Sequence, residues 1–243
     1  DVATILPWNL YERFGDVAFA ILPHGYGRPL RRVDHALPGA NERLRILVLG
    51  QISVLKGLDL FLAALPRLRE FAEIFLVGCR ELGELFRMEP NVHVVSRYDI
   101  DELPGHVAAI NPHVGLLTSI CPETFGYALT ELMALGVPPV ATSVGAFAER
   151  IRHRENGFLY APDPAALVAA LVALDGDRAA LDAVRGNLDG WQPRTAAAMV
   201  ADYHRLLPLD PRPWARAPAT TPQGAAAAAR EARDQALLTQ SLA

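Results

Sequence analysis

The residues best placed to do chemistry are two glutamates, Glu123 and Glu131, in the run Cys121-Pro122-Glu123-Thr124-Phe125-Gly126-Tyr127-Ala128-Leu129-Thr130-Glu131. Their spacing predicts one carboxylate at a loop-to-helix junction and a second about two turns into the helix. Peptide N–H groups at a helix start take anions, because they lack intrahelical partners and sit at the positive end of the macrodipole. Carboxylates take hydroxyls. Together they suit a charged, hydroxyl-rich ligand. Two glutamates at this spacing also suit the solvated face of an ordinary amphipathic helix; the residues around them favour the site.

A second run, Leu49-Gly50-Gln51-Ile52-Ser53-Val54-Leu55-Lys56-Gly57, ends an apolar strand in a glycine and sets a lysine before the next helix. The glycine lets a ligand approach the backbone, and the lysine can reach a phosphate as a point charge. Taken alone, Lys56 reads equally as a surface lysine in a turn. The G-x-G-x-x-G dinucleotide fingerprint is absent, which argues against an NAD-binding domain.

These residues need a scaffold, and the hydrophobic pattern supplies one. Arg45–Gly50, Ile74–Gly78, Val92–Val95, Val114–Leu117, Val137–Ala141 and Phe158–Tyr160 read as short strands. Helices are predicted over Leu58–Leu68 (Leu58, Phe61, Leu62, Leu65 and Leu68 on one face), Ile100–Ile110, the stretch after Glu123, Pro164–Leu174 and Thr195–Leu207. Fully apolar strands alternating with helices imply an α/β fold, a Rossmann-like parallel sheet with helices on both faces. Such sheets bind ligands at the carboxyl ends of their strands. Gly50, Gly78 and the Glu123 loop all fall there.

Half of the 243 residues are hydrophobic, so a sizeable core is available, and the net charge of −4 without a Lys/Arg block argues against a nucleic-acid footprint. The two cysteines, Cys79 and Cys121, have no metal-ligand spacing and cannot form a disulfide framework. The longest apolar run, Ala165–Leu174, is too short to span a bilayer. The expectation is a soluble, cytoplasmic protein. Upstream, Tyr11–Phe14 reads as a short helix and Ala18–Leu22 as a short strand, stopped by Pro23-His24-Gly25. Pro208–Pro222 reads as a linker and Gly224–Ala243 as an alanine-rich helical extension.

In order and spacing, the chain from about Arg45 to Leu207 resembles the C-terminal, donor-binding half of a GT-B glycosyltransferase of the retaining family four. Gly50 with Lys56-Gly57 resembles the family's phosphate loop, and Glu123 and Glu131 its E-x7-E motif with Phe125-Gly126 inside it. Gly136-Val137-Pro138 resembles the turn before the next strand. Gly145-Ala146 with Glu149, and Asn156-Gly157-Phe158-Leu159, resemble the downstream loop and strand. The resemblance implies a nucleotide-sugar donor and no metal or other cofactor. It places Glu131 on the ribose hydroxyls, Glu123 by the transferred sugar and its phosphates, and the backbone of Thr124, Phe125 and Gly126 at the diphosphate beside Gly50 and Gln51. Lys56 would neutralise the leaving group. The segment Ser96-Arg97-Tyr98 would lie by the base; Tyr98 reads either as a base-stacking ring or as a half-buried loop residue.

Two departures from that family matter. Gln51 stands where the family carries arginine, and it offers neither permanent charge nor a bidentate fork. Residues 1–44 are too few for an N-terminal half and are expected to be its remnant plus the interdomain linker. Residues 45–207 form the donor domain, and 208–243 a linker and tail. The expected function is the donor half of a glycosyltransferase acting on a glycan, lipid or protein acceptor through an N-terminal domain, with a membrane surface left open. The alternative is a non-catalytic, degenerate module with a scaffold or regulatory role. A weaker third reading is another sugar-phosphate enzyme on a similar sheet.

Overall fold

The structure is a computed structural model that describes residues 22–34 and 42–206. The segments read as Tyr11–Phe14, the linker from Pro208 and the alanine-rich tail lie outside the described residues, as does the expected strand Ala18–Leu22 apart from Leu22. Two units divide the chain at residues 201 and 202. The first holds the sheet; of the second, only residues 202–206 are described.

Six strands form one all-parallel sheet: β1 (Leu44–Leu49), β2 (Ala72–Val77), β3 (Val92–Val95), β4 (Val114–Leu117), β5 (Pro139–Thr142) and β6 (Phe158–Tyr160). Their spatial order is β3-β2-β1-β4-β5-β6. β4 is buried along its whole length, as is β5, and β1 at every position but Arg45. That burial accounts for strands that read as unbroken apolar runs rather than alternating ones. β1 pairs with β2 on one side and β4 on the other, with Val48 beside both Leu76 and Leu116. The strand order reverses there, and open α/β sheets hold ligands in that crevice.

Seven helices connect and flank the strands among the described residues: α1 (Leu58–Phe71), α2 (Leu103–Ile110), α3 (Tyr127–Ala134), α4 (Ala146–Arg150), α5 (Pro164–Gly176), α6 (Arg178–Asn187) and α7 (Ala196–Leu206). α1 buries Leu58, Leu60, Phe61, Ala64, Leu65 and Leu68. Leu62, expected on that face, instead points outward at 40% exposure. Asp163 starts α5 by accepting from the Ala166 N–H at 2.9 Å.

The expected Ile100–Ile110 helix is two pieces, a 3-10 turn over Ile100–Glu102 that continues into α2. α4 and α6 were not foreseen. The helix after Glu123 starts only at Tyr127, so Glu123 lies in the loop and Glu131 sits little more than one turn in, not two. Gly126, at φ 74°, is the reason, because a left-handed residue cannot belong to the helix it caps. β5 begins at Pro139 rather than Val137, since Gly136 at φ 76° and the Val137 N–H, donating to Leu132 O, still belong to the helix end.

The segment before β1 lies along the sheet unit. Tyr26 pairs with the 194–196 stretch through Tyr26 N to Arg194 O (2.7 Å) and Ala196 N to Tyr26 O (3.0 Å). Tyr26 and Leu30 pack with Ala134 in a small second core, which Trp191 covers.

Candidate functional site

The site is a cleft of about 430 Å³ at the carboxyl ends of β1 and β4, lined among others by Gly50, Gln51, Lys56, Glu123, Phe125 and Gly126. The loop between β1 and α1 is fixed to the loop after β4 by hydrogen bonds. Thr118 Oγ1 donates to Lys56 O (2.7 Å) and Ile120 N to Leu55 O (3.1 Å). Gly57 permits this closeness: its φ is 80°, and a Cβ there would lie 1.9 Å from Thr118 O. The result brings Lys56 against the Glu123 carboxylate, where Lys56 Nζ and Glu123 Oε1 form an ion pair. Ser119 Oγ donates to the same oxygen at 2.8 Å.

Glu123 is held from the other side by the loop leading into α4. Its carbonyl accepts from Ala146 N at 3.0 Å, and a Cβ on Gly145 would come within 2.7 Å of Pro122 Cα. The next turn is fixed by Arg150, at the end of α4. Its guanidinium donates to Phe125 O (2.6 Å), Gly126 O (3.2 Å) and Thr130 Oγ1 (2.9 Å), and its Cζ stands 4.1 Å from the Phe125 ring centre. Burial lowers the Arg150 pKa to about 10, which leaves it cationic at neutral pH. Gly126 packs on the Phe147 ring. Residues 124–128, where the first N–H groups of α3 lack intrahelical acceptors, line the cleft.

Glu131 is not among the residues lining the cleft. It lies on the face of α3 shared with Tyr127 and Ala128, which do line it. Its Oε1 accepts from Tyr26 Oη at 3.0 Å. Burial raises the Glu131 pKa, and the Tyr26 hydrogen bond opposes that rise. Tyr98 lines a smaller pocket of about 250 Å³, with Gly50, Gln51, Gly78, Arg80 and Arg97. Its ring covers Gly78, where a Cβ would meet Cε1 at 2.6 Å. Burial and then the charge of Glu131 push the Tyr98 pKa up to about 12.

All the expected site residues but Glu131 therefore gather in two adjoining cavities. Lys56, Glu123, Thr124, Phe125 and Gly126 share the larger, Tyr98 lines the smaller, and Gly50 and Gln51 line both. Sequence reasoning missed His24, which lines the cleft with its ring centre 5.3 Å from that of Phe125. It also missed Tyr26, Ser119, Phe147 and Arg150. Tyr26, Phe147 and Arg150 reach the site across the fold, and Ser119, four residues before Glu123, belongs to no motif. Cys121 is half-buried, with Sγ 3.6 Å from Ser119 Oγ. Among the described residues no cluster of His, Cys, Asp and Glu could hold a metal ion, and no helix is long and apolar enough to cross a membrane.

Comparison with known proteins supplies the family. The group 1 glycosyl transferase model matches residues 43–177, more than half of the chain. The chain is 34% identical over 125 residues to the phosphatidyl-myo-inositol mannosyltransferase of Mycobacterium leprae, covering 49% of this chain and 33% of that protein. It spans less than half the length of the other curated relatives it matches. Among solved structures, sucrose-phosphate synthase from Thermosynechococcus elongatus matches with a TM-score of 0.64 at 20% identity, over 82% of this chain and 54% of that one. The Anabaena protein HepE in complex with UDP and glucose matches with a TM-score of 0.55 at 23% identity, over 70% and 49%. The chain belongs to the group 1 glycosyl transferases, and its sheet is the Rossmann-like sheet of the GT-B fold.

Proposed function

We propose that this group 1 glycosyltransferase chain carries the donor half of a retaining enzyme, which moves a sugar from a nucleoside diphosphate to a glycan, lipid or protein acceptor. The acceptor would be held by an N-terminal half of the kind the longer relatives have room for. The observation that carries the reading is the Lys56–Glu123 pair at the mouth of α3, inside the cleft. Each group neutralises the other, and each has a natural replacement in a nucleotide sugar. The diphosphate takes the ammonium and the sugar hydroxyls take the carboxylate.

The chemistry then follows from charge. Breaking the bond between the anomeric carbon and the diphosphate oxygen leaves that bond's electron pair on the diphosphate. Lys56 and the N–H groups at the start of α3 stand where that charge develops, and such prearranged donors are a large contribution to rate. Arg150 adds a fixed positive charge behind the same turn. Ser119 and the Gly145 loop keep Glu123 in place as the donor arrives. Glu131 is assigned to the ribose and Tyr98 to the base.

Gln51 supports a second reading, a degenerate module without turnover, because it puts a neutral amide where the family has a cation. Calorimetric titration with UDP, GDP, ADP and dTDP separates the two. The donor-site reading expects one nucleotide to bind saturably and Lys56→Ala to weaken it by roughly 1.5–3 kcal/mol, the scale for a hydrogen bond to a charged group. No binding by the folded chain would leave the degenerate module standing.

A further inference from the structure

We infer that Tyr26 is a positioning residue for the ribose-binding carboxylate: its hydroxyl fixes Glu131 so that the remaining acceptor positions meet the 2′- and 3′-hydroxyls of a ribonucleotide donor. The inference rests on the donor-site reading above and adds a positioning residue to it.

The geometry has three parts. First, Tyr26 comes from the segment before β1 and reaches Glu131 across 105 positions of sequence, with Oη 3.0 Å from Oε1. Second, Tyr26 itself is anchored. Its N–H and C=O are both bonded to the 194–196 stretch, at 2.7 and 3.0 Å, and its ring lies 6.1 Å from that of Tyr127. The chain beside it is tight as well, since a Cβ on Gly25 would fall 2.4 Å from Thr195 O. With its backbone held and the residue only 9% exposed, Tyr26 has little freedom to move its hydroxyl. Third, an ionised carboxylate offers about four acceptor positions, and Tyr26 occupies one. Those left are enough for two vicinal hydroxyls. The phenol stays a donor through the neutral range, because burial and the Glu131 charge raise its pKa further above the usual tyrosine value.

A buried carboxylate without a partner swings or protonates, and either costs affinity for a diol. The Tyr26 hydrogen bond opposes both. Its position also ties donor recognition to the segment that leads into the sheet, so the ribose contact pairs the motif's Glu131 with a stretch that neither motif contains.

The test is Tyr26→Phe, which removes one hydroxyl and keeps the ring. Wild type and variant are titrated with UDP, GDP and ADP, then with the 2′-deoxy and 3′-deoxy forms of the nucleotide that binds. The expected result is a ribonucleotide affinity roughly threefold to tenfold weaker in the variant, the range for one hydrogen bond. The deoxy forms bind both proteins alike, so the preference for ribose shrinks. A merely structural tyrosine would weaken all nucleotides equally and lower Tm, which overturns the inference. An unchanged preference, or tighter binding once the competing phenol is gone, overturns it too. If the wild type binds no nucleotide, the donor-site reading falls and takes this inference with it. Binding by the wild type with an unaltered preference in the variant removes this inference alone.

Discussion

Gly57→Ala tests whether the lysine loop is held in place by its contact with the end of β4. Two independent costs add. The residue sits at φ 80° and ψ 31°, and placing an L side chain in that region costs roughly 1–2 kcal/mol. The new Cβ would also stand 1.9 Å from Thr118 O, whereas an ordinary carbon–oxygen contact is about 3.3 Å. The obstacle is a backbone atom at the end of a buried strand, so no side chain can turn aside. The loop has to retreat by more than an ångström, and strain of that kind typically costs about 1–3 kcal/mol. The sum is roughly 2–5 kcal/mol, a large share of the 5–15 kcal/mol that holds a typical domain together. For a domain of this size it corresponds to a fall in Tm of very roughly 5–20 °C. The retreat breaks the bonds from Thr118 and Ile120 to Lys56 and Leu55 and carries Lys56 away from Glu123. Nucleoside-diphosphate affinity should therefore fall along with Tm. Thermal unfolding and calorimetric titration on the same preparation read both. Gly105→Ala serves as control: it lies within α2 with nothing within 4 Å of its Cβ, and should be neutral or stabilising by about 0.4–1 kcal/mol. A Gly57→Ala protein with Tm within about 2 °C of wild type would falsify the argument.

Two further predictions come from buried charge. Arg150→Met deletes the donors to Phe125, Gly126 and Thr130 but also removes a cation from a desolvated position, so the two effects partly offset. Stability should change by no more than about 1–2 kcal/mol while diphosphate affinity drops at least several-fold; a large loss of Tm with unaltered affinity would show that Arg150 only supports packing. His113 is buried, accepts from the Arg45 N–H through Nδ1 at 2.8 Å, and has its pKa lowered to about 3, mainly by burial and then by nearby arginines. A depressed folded-state pKa means that its contribution is present above the unfolded value near 6.5 and is lost as pH falls towards 3. His113→Gln keeps an acceptor but cannot ionise, so its denaturation midpoint should fall less between pH 6.5 and 4 than that of wild type. Parallel pH profiles would sink the assignment.

What could be read in advance follows from which interactions are local. β1 and β4 are legible because a strand buried on both faces is apolar almost throughout, and Leu44–Leu49 or Val114–Leu117 admit little else. Glu123, Lys56 and the turn at Phe125–Gly126 are legible because a helix start beside a strand end is a local arrangement. α6 escaped because its apolar face is thin, with only Leu181 and Val184 as buried hydrophobics among charged neighbours. α4, five residues long, carries no periodicity to read. Glu131 was placed a turn too deep because the left-handed Gly126 delays the helix, and φ is not written in residue type alone. Tyr26 and Arg150 were invisible for a different reason. Their partners, Glu131 and the Phe125–Gly126 carbonyls, are 105 and about 25 residues away, and only the folded topology brings them together.

The parallel bridge between Tyr26 and Thr195 has a consequence for the engineering of this unit. The polypeptide comes in and goes out at neighbouring points, so everything from residue 26 to residue 195 hangs from a single doorway. Such a unit behaves as a cassette. Spliced between two adjacent surface residues of an unrelated host, it would ask the host to part by little more than the separation of two neighbouring strands, about 5 Å. It would pay almost no loop-closure entropy. By the same geometry, a short linker across the doorway with a new opening at an exposed turn such as Met88–Asn91 should give a circular permutant that keeps the sheet, the cleft and the lysine–glutamate pair intact.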